Sequence, residues 1–214
     1  VPVDSSAITI APLGGRHVNH FWRLLSKLEI PHITLLDLDV ARFGGGWGRI
    51  KYVKEQLEYY KNINLWEDIS IPDWNDNDTL IRNKHFYYPE NKPSFNLFQR
   101  LESLGVFFST PMDLDFAMLS AFPNKFEITD TETLPDQDLI KSVLGKKHHN
   151  PEQYTEEERK LFSSYHKLFK LGSKPVNHIQ ALANLTDEEL LNNMPESLSR
   201  LAKAVKTKLL EIPE

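Results

Sequence analysis

The sequence of 214 residues predicts an α/β fold in which a parallel sheet is flanked by helices, followed by a mainly helical C-terminal portion. In the first half, short β-rich or apolar runs alternate with segments whose apolar residues recur at helical spacing. In the second half, the sequence predicts one helix after another and no strand. We therefore expect an α/β region at residues 1–125 and a helical portion at 126–214, with no clear linker between them.

Three strands are predicted in the α/β region. Ile8–Leu13 is β-rich, Ile33–Leu36 is an apolar run typical of a sheet covered on both faces, and Val106–Phe108 is similar. A helix is expected to begin at Thr110 as its N-cap, with Pro111 in the first helical position, and to run to about residue 121. The other helices predicted here are Arg16–Leu28, Ile50–Tyr60 and Phe95–Leu104.

The remaining segments complete the expected order of elements. Residues 62–92 carry Pro, Asn, Asp and scattered aromatic residues, which indicates a long irregular insertion. The C-terminal portion is expected to contain five helices: Pro135–Leu144, Thr155–Leu171, Pro175–Leu185, Asp187–Asn193 and Pro195–Leu210.

The composition excludes several classes of protein. With 40% hydrophobic and 26% charged residues, the chain is neither a disordered tail nor a coiled coil nor collagen-like. No apolar run approaches the roughly 20 residues that cross a bilayer, so we expect no membrane partner. The absence of cysteine excludes disulfides, thiolate zinc sites and cysteine nucleophiles, and fits the cytoplasmic location that we expect. The formal net charge of −5 argues against a surface coated with basic charge for non-specific nucleic-acid binding.

Asp37 and Asp39 form the strongest motif, because they close the second predicted strand. Ligands of open parallel sheets bind outside the carboxyl ends of the strands. If the strand continues through both residues, their side chains point the same way and suit a hard cation such as Mg²⁺. The alternative is that these aspartates only end the strand and cap the loop that follows.

Asp113 and Asp115 form a second acidic pair, just past the third predicted strand. Two metal ions roughly 3.5–4 Å apart need carboxylates from separate strands, and this pair would provide the second wall of such a site. The alternative is structural, because Asp113 can complete a capping box with Thr110 and acidic residues favour the first helical turn.

Glycines and basic residues near the predicted strand ends are candidates for binding phosphate. A glycine pair at the start of a helix exposes backbone N–H groups to an anion. Arg42, Arg49 and Lys51 surround the glycine-rich stretch at 44–46 and could meet phosphates, or could equally belong to a solvated helix face. The candidate residues for phosphate or DNA are Gly15, Arg16, Arg42, Gly45, Arg49 and Lys51. Neither a P-loop nor the dinucleotide-binding glycine pattern is present.

Several of these motifs together resemble the OLD-family ATP-dependent endonucleases, in their C-terminal Toprim nuclease region. The resemblance is dense from about residue 8 to residue 54 and thinner afterwards. The segments that carry it are Leu13–Trp22, Thr34–Asp39, Gly44–Tyr52 and Thr110–Asp115.

The resemblance implies a Toprim-like parallel sheet and metal-dependent cleavage of DNA by two Mg²⁺ or Mn²⁺ ions. It implies catalytic roles for Asp37, Asp39, Asp115 and Lys174, with Asp113 as a further metal ligand. The implied partners are DNA and an upstream ATPase domain. ATP would act only through that domain. A homodimer is compatible with the family. The family's Toprim domain begins with a strand that ends in a glutamate. We find no such segment before Val1, so we expect this chain alone to be inactive or weak.

Two other functions remain open at this stage. A haloacid-dehalogenase-type phosphatase also places Asp-x-Asp after a hydrophobic strand, but its motif has Thr or Val where this chain has Ala41. A non-catalytic module that binds DNA or a protein would need no divalent metal. We rank the nuclease first, the binding module second and the phosphatase last.

Overall fold

The computed structural model describes residues 8–13, 18–61, 93–126, 128 and 133–210. The insertion expected at 62–92 lies outside these residues, as do Gly15 and Arg16. The first part of the described chain contains two strands and four helices: α1 (Val18–Lys27), β1 (Thr34–Asp37), α2 (Trp47–Lys61), α3 (Pro93–Ser103), β2 (Val106–Ser109) and α4 (Leu114–Ala121).

The C-terminal part is helical, as expected. Its elements are α5 (Gln137–Leu144), α6 (Glu156–Lys160), α7 (Phe162–Tyr165), a π-helical turn (His166–Leu171), α8 (Lys174–Ala183), α9 (Asp187–Asn193) and α10 (Glu196–Leu210). The helix predicted at Thr155–Leu171 is therefore divided at Leu161 and ends in the π-helical turn. Asp136 and Thr155 cap α5 and α6 by accepting backbone N–H groups, which fixes where these helices begin.

The sheet of the described chain consists of β1 and β2, which pair in parallel. Thr34 lies opposite Val106 and Asp37 lies opposite Ser109, so both carboxyl ends are at one edge of the sheet. The fold class is thus α/β with a parallel sheet, flanked by helices, and a mostly helical C-terminal part, consistent with a Toprim-like fold. In the described residues no helix is long and apolar enough to cross a membrane.

The strand predicted at Ile8–Leu13 is wrong, because these residues form no regular element. Pro12 has no N–H to donate to a ladder, and the Ile10 side chain is 76% exposed, so neither pairing nor burial supports a strand here. The β-branched residues of this run favour a strand only where a neighbouring strand or a core covers them.

The helix expected to begin at Thr110 begins instead at Leu114, with Asp113 as its N-cap. The carbonyl oxygens of Pro111 and Met112 accept the N–H groups of Val40 (3.0 Å) and Asp39 (2.7 Å). These bonds hold residues 111–112 alongside the loop after β1 and keep them out of the helix. The capping expected of Thr110 is provided by Asp113, which accepts the N–H of Phe116 at 2.9 Å.

An aromatic cluster joins the C-terminal helices to the sheet region. The fully buried ring of Phe116 in α4 makes edge-to-face contacts with Tyr154, Phe162 and Tyr165, at centroid distances of 5.8–6.0 Å. The Tyr154 hydroxyl donates to the carbonyl of Val40 at 2.6 Å. This packing holds α7 and the segment before α6 against the carboxyl edge of the sheet, which places C-terminal residues next to the acidic motifs.

Gly45 closes the loop between β1 and α2 by lying against the backbone of Asp39. A Cβ at Gly45 would lie 1.9 Å from the Asp39 carbonyl oxygen, whereas one at Gly48 would meet no atom within 4 Å. The N–H of Gly46 donates to Leu38 O at 2.7 Å and completes the closure.

Gly45→Ala is therefore expected to destabilise the chain by about 1–3 kcal/mol, because the methyl group forces this loop open. Gly48→Ala is the matched control. It lies in α2, where alanine is preferred to glycine, and is expected to leave stability equal or slightly higher. Urea unfolding followed by tryptophan fluorescence measures both variants. Equal midpoints for the two would contradict the close approach at Gly45.

Candidate functional site

The carboxyl edge of the sheet brings the four aspartates of the two acidic motifs into one region. Asp37 is the last residue of β1, Asp39 lies in the loop after it, Asp113 is the N-cap of α4, and Asp115 lies in its first turn. The strand does not continue through Asp39, whose φ of 55° is in the left-handed region, so the simple alternation of side chains does not apply. Each carboxylate consequently has its own set of partners.

Asp37 is held by uncharged groups. Its Oδ1 accepts the Ser109 hydroxyl at 3.0 Å and the Leu114 N–H at 3.3 Å. The residue is exposed on one side, but the protein on the other side removes water from the carboxyl group. This desolvation, together with the negative charges of Asp113 and Asp39, raises the pKa of Asp37 above its ordinary value. Among the described residues, no lysine or arginine forms an ion pair with it.

Asp39, by contrast, is neutralised by two arginines. Arg42 Nη1 lies 2.7 Å from its Oδ1, and Arg49 Nη2 lies 2.8 Å from its Oδ2. The side chain of Asp39 is 15% exposed, so these pairs are shielded from much of the solvent. Its charge is therefore balanced within the chain.

Asp113 is buried, and its oxygen atoms serve the fold. One oxygen caps α4, and the other accepts both Arg42 Nη1 at 2.9 Å and the Tyr165 hydroxyl at 2.6 Å. Its residue exposure is 5%. A buried carboxylate is stable only when it is paired and hydrogen-bonded, and these contacts provide both.

Arg42 is the internal counter-ion of this region. Its Nη1 contacts Asp39 and Asp113 together, while Nη2 donates to the Tyr165 hydroxyl at 2.8 Å and to Val143 O at 3.3 Å. Burial on its own lowers the pKa of Arg42, but Tyr165, Asp113 and Asp39 outweigh it and raise that pKa, so the guanidinium stays charged. In the structure Arg42 is therefore an internal counter-ion. This role differs from the phosphate contact that the sequence predicted for it.

Asp115 binds two groups of α8. Lys174 Nζ pairs with its Oδ2, and His178 Nε2 lies 2.8 Å from its Oδ1. Burial would raise the pKa of Asp115, but the hydrogen bonds from His178 and Lys174 and their charges hold it below the ordinary value. The His178 ring stacks on Phe169 at a centroid distance of 5.1 Å, which fixes its orientation.

The predicted phosphate-binding residues are placed in different ways. Gly45 packs on the Asp39 backbone and Arg49 pairs with Asp39, so both lie at the candidate site. Lys51 lies on an exposed face of α2, 4.0 Å from Glu55, and its described ion pair is with that residue alone. Gly15 and Arg16 lie outside the described residues.

Sequence reasoning missed Tyr165, His178 and Lys170. Tyr165 and His178 contact Asp113 and Asp115 across 52 and 63 positions of sequence. The aromatic residues around Tyr165 recur at helical spacing, which indicates a core face and gives no sign of a polar contact. Lys170 directly follows these aromatic residues, and its sequence context is that of an ordinary solvent-exposed lysine. Contacts between distant parts of the chain bring these residues to the sheet edge: α7 packs against α4, and His178 of α8 packs on Phe126 and Phe169.

Asp37 is the carboxylate whose surroundings fit a cation. Carboxylate oxygens are the ligands that Mg²⁺ prefers, and Asp37 has the charges of Asp113 and Asp39 nearby, although desolvation is the larger cause of its raised pKa. Asp39 and Asp113 share Arg42, and Asp115 is held by Lys174. Over the described ranges of the chain, no three His, Asp or Glu side chains are arranged to hold a metal ion.

Comparison with known proteins gives one family. Residues 1–39, which end at the Asp-x-Asp motif, match the family described as Overcoming lysogenization defect protein-like, TOPRIM domain. The match supports a Toprim region of OLD-like proteins and a nucleic-acid-related function of the nuclease or primase type. No curated protein and no solved structure matches the chain.

Proposed function

We propose that this chain is the nuclease part of an OLD-family ATPase–nuclease and hydrolyses DNA phosphodiester bonds in a metal-dependent reaction. The observation that carries the proposal is the position of Asp37. It ends a parallel strand, lies beside Asp39 and Asp113, and has no internal cation as a partner in the described chain. The family match at residues 1–39 supports the same reaction class.

The proposed metal is Mg²⁺ or Mn²⁺, with Asp37 as its principal ligand. When bound, such an ion polarises a phosphoryl oxygen and helps generate a nucleophile from water. Asp39, Asp113 and Asp115 contribute negative charge around it. Asp39 and Asp113 would offer oxygen atoms to a metal only in exchange for Arg42, and a two-metal site would need that exchange.

Lys174 is the proposed catalytic cation. It begins α8, and its side chain is 48% exposed although it is paired with Asp115. An ammonium group held here can stabilise the charge that develops on a phosphate in the transition state. Asp115 and His178 would act as positioning residues for it, because their contacts fix where the ammonium lies.

A non-catalytic DNA-binding module is the second candidate. It is favoured by the internal neutralisation of Asp39 and Asp113 by Arg42 and of Asp115 by Lys174. In such a module these ion pairs would be structural, and DNA binding would not depend on a divalent metal.

Nicking of supercoiled plasmid tests the proposal. We expect the chain to nick plasmid slowly with Mn²⁺ or Mg²⁺ and to stop when EDTA removes the metal, because Asp37 alone cannot activate water. Gel shift of the same plasmid in EDTA is the parallel measurement. Unchanged DNA retention with no nicking at any metal concentration would support the binding module and overturn the nuclease.

A further inference from the structure

The π-helical turn His166–Leu171 departs from ordinary α-helical geometry and lies beside the candidate site. Phe169 anchors it in the core with 3% exposure, and Asn177 Nδ2 donates to Leu168 O at 2.7 Å. Gly172 follows, where a Cβ would lie 2.6 Å from Leu168 O. Isolated π-helical turns are frequent at functional sites, since they re-aim side chains relative to an ordinary helix.

This turn places Lys170 among the charged groups of the site. Lys170 Nζ lies 5.9 Å from the centre of the Tyr165 ring, and Arg42 Cζ lies 5.8 Å from the centre of the same ring. Lys170 is exposed to solvent on one side, but the protein around it, then the positive charge of Arg42, lowers its pKa, and Lys174 adds to the effect. Asp113 and Asp39 act in the opposite direction but do not restore it.

Lys170 differs from its two cationic neighbours in its partners. Arg42 is paired with Asp39 and Asp113, and Lys174 is paired with Asp115. No carboxylate within the described ranges forms an ion pair with Lys170. An ammonium group next to two other cations, without a carboxylate of its own, gains most from an anion that enters from solution.

We propose that Lys170 is a phosphate-binding residue that holds a backbone phosphate of the nucleic acid beside the acidic edge of the sheet. The inference rests on the proposed function for the identity of the anion, a DNA phosphate. A lysine ammonium binds phosphate as a compact point charge, which suits a backbone contact that carries no sequence information. Its cation–π contact with Tyr165 keeps the ammonium in place for that role.

The salt dependence of DNA binding, measured in EDTA so that no cleavage occurs, tests this role. Lys170→Ala is expected to weaken binding of a duplex oligonucleotide about tenfold at low salt. It should also reduce the slope of log K against log salt by about 0.9, because one phosphate contact is lost. Lys170→Arg should retain most of the slope.

Lys167→Ala is the matched control, because Lys167 is exposed like Lys170 and lies three positions earlier in the same turn. It removes the same formal charge and should leave the slope unchanged. Equal slopes for Lys170→Ala and wild type, equal effects of the two alanine variants, or no DNA binding by the wild type would each overturn the proposal.

The assay also separates this inference from the proposed hydrolysis. If Lys170→Ala changes the slope but the wild type nicks no plasmid with any metal, the phosphate contact is supported and the nuclease assignment is contradicted. Metal-dependent nicking with no slope change for Lys170→Ala would give the opposite result. It would contradict phosphate binding by Lys170 and support the nuclease assignment.

Discussion

Asp37→Asn is expected to abolish metal-dependent cleavage and, at the same time, to make the folded chain more stable at neutral pH. Loss of cleavage should exceed about 100-fold, since even outer-shell partners of metal sites contribute 10–100-fold. Stability should rise because the substitution removes a desolvated negative charge that Asp113 and Asp39 repel. The Ser109 hydroxyl and the Leu114 N–H can still donate to an asparagine oxygen.

The pH dependence of this gain has a defined sign. The folded chain holds the Asp37 proton more tightly than the unfolded chain, because the pKa of Asp37 is raised above 3.8. The wild type therefore loses stability as pH rises through that raised pKa, while asparagine does not titrate. In metal-free buffer the difference in unfolding free energy should be small below about pH 3.8 and grow above it.

Asp138→Asn is the control, because it removes the same formal charge at a side chain that is 93% exposed. It should change neither cleavage nor the pH dependence. Urea unfolding at several pH values and the plasmid assay measure both variants. A less stable Asp37→Asn chain that still cleaves would mean that Asp37 serves the fold and not the reaction.

Arg42→Met is expected to reduce the free energy of unfolding by about 3 kcal/mol, since it leaves the buried Asp113 without its cation. Asp39 would keep only Arg49, and the Tyr165 hydroxyl would lose a donor. Arg49→Met is the comparison, because Arg49 contacts one oxygen of Asp39 and its side chain is 25% exposed. That variant should lose about 1 kcal/mol.

A divalent cation should partly replace the missing arginine. Added Mg²⁺ is expected to raise the unfolding midpoint of Arg42→Met more than that of the wild type, because Asp39 and Asp113 become available as ligands. Urea unfolding with and without Mg²⁺ measures both effects. Equal losses for Arg42→Met and Arg49→Met, with no added response to Mg²⁺, would contradict the counter-ion role of Arg42.

The sequence was sufficient to predict the parts of the fold that local patterns determine. The apolar run before Asp37 predicted β1, helical periodicity predicted α1 and α2, and Asp-x-Asp placed a candidate site at the carboxyl edge of the sheet. The strand predicted at Ile8–Leu13 was wrong because strand preference depends on a neighbouring strand or core that covers the residues. A single run of sequence cannot reveal that neighbour. The predicted start of α4 was wrong because residues 111–112 pair with a loop 71 and 73 positions earlier along the chain.

The partners of the aspartates could not be predicted, since each depends on contacts between distant parts of the chain. Arg42 meets Asp113 across 71 positions and Tyr165 across 123. Acidic and basic residues near strand ends are compatible with a metal site and equally with internal ion pairs. Which of the two forms depends on distances that only the folded chain sets, and here Asp37 is the member left without a cation among the described residues.

Mn²⁺ binding followed by electron paramagnetic resonance tests the central claim most directly, because the signal of free Mn²⁺ falls as the ion binds. The expected result is saturable binding to the wild-type chain that Asp37→Asn loses and Asp138→Asn retains. Equal binding by the wild type and Asp37→Asn, or no binding by the wild type, would contradict the assignment of Asp37 as the metal ligand.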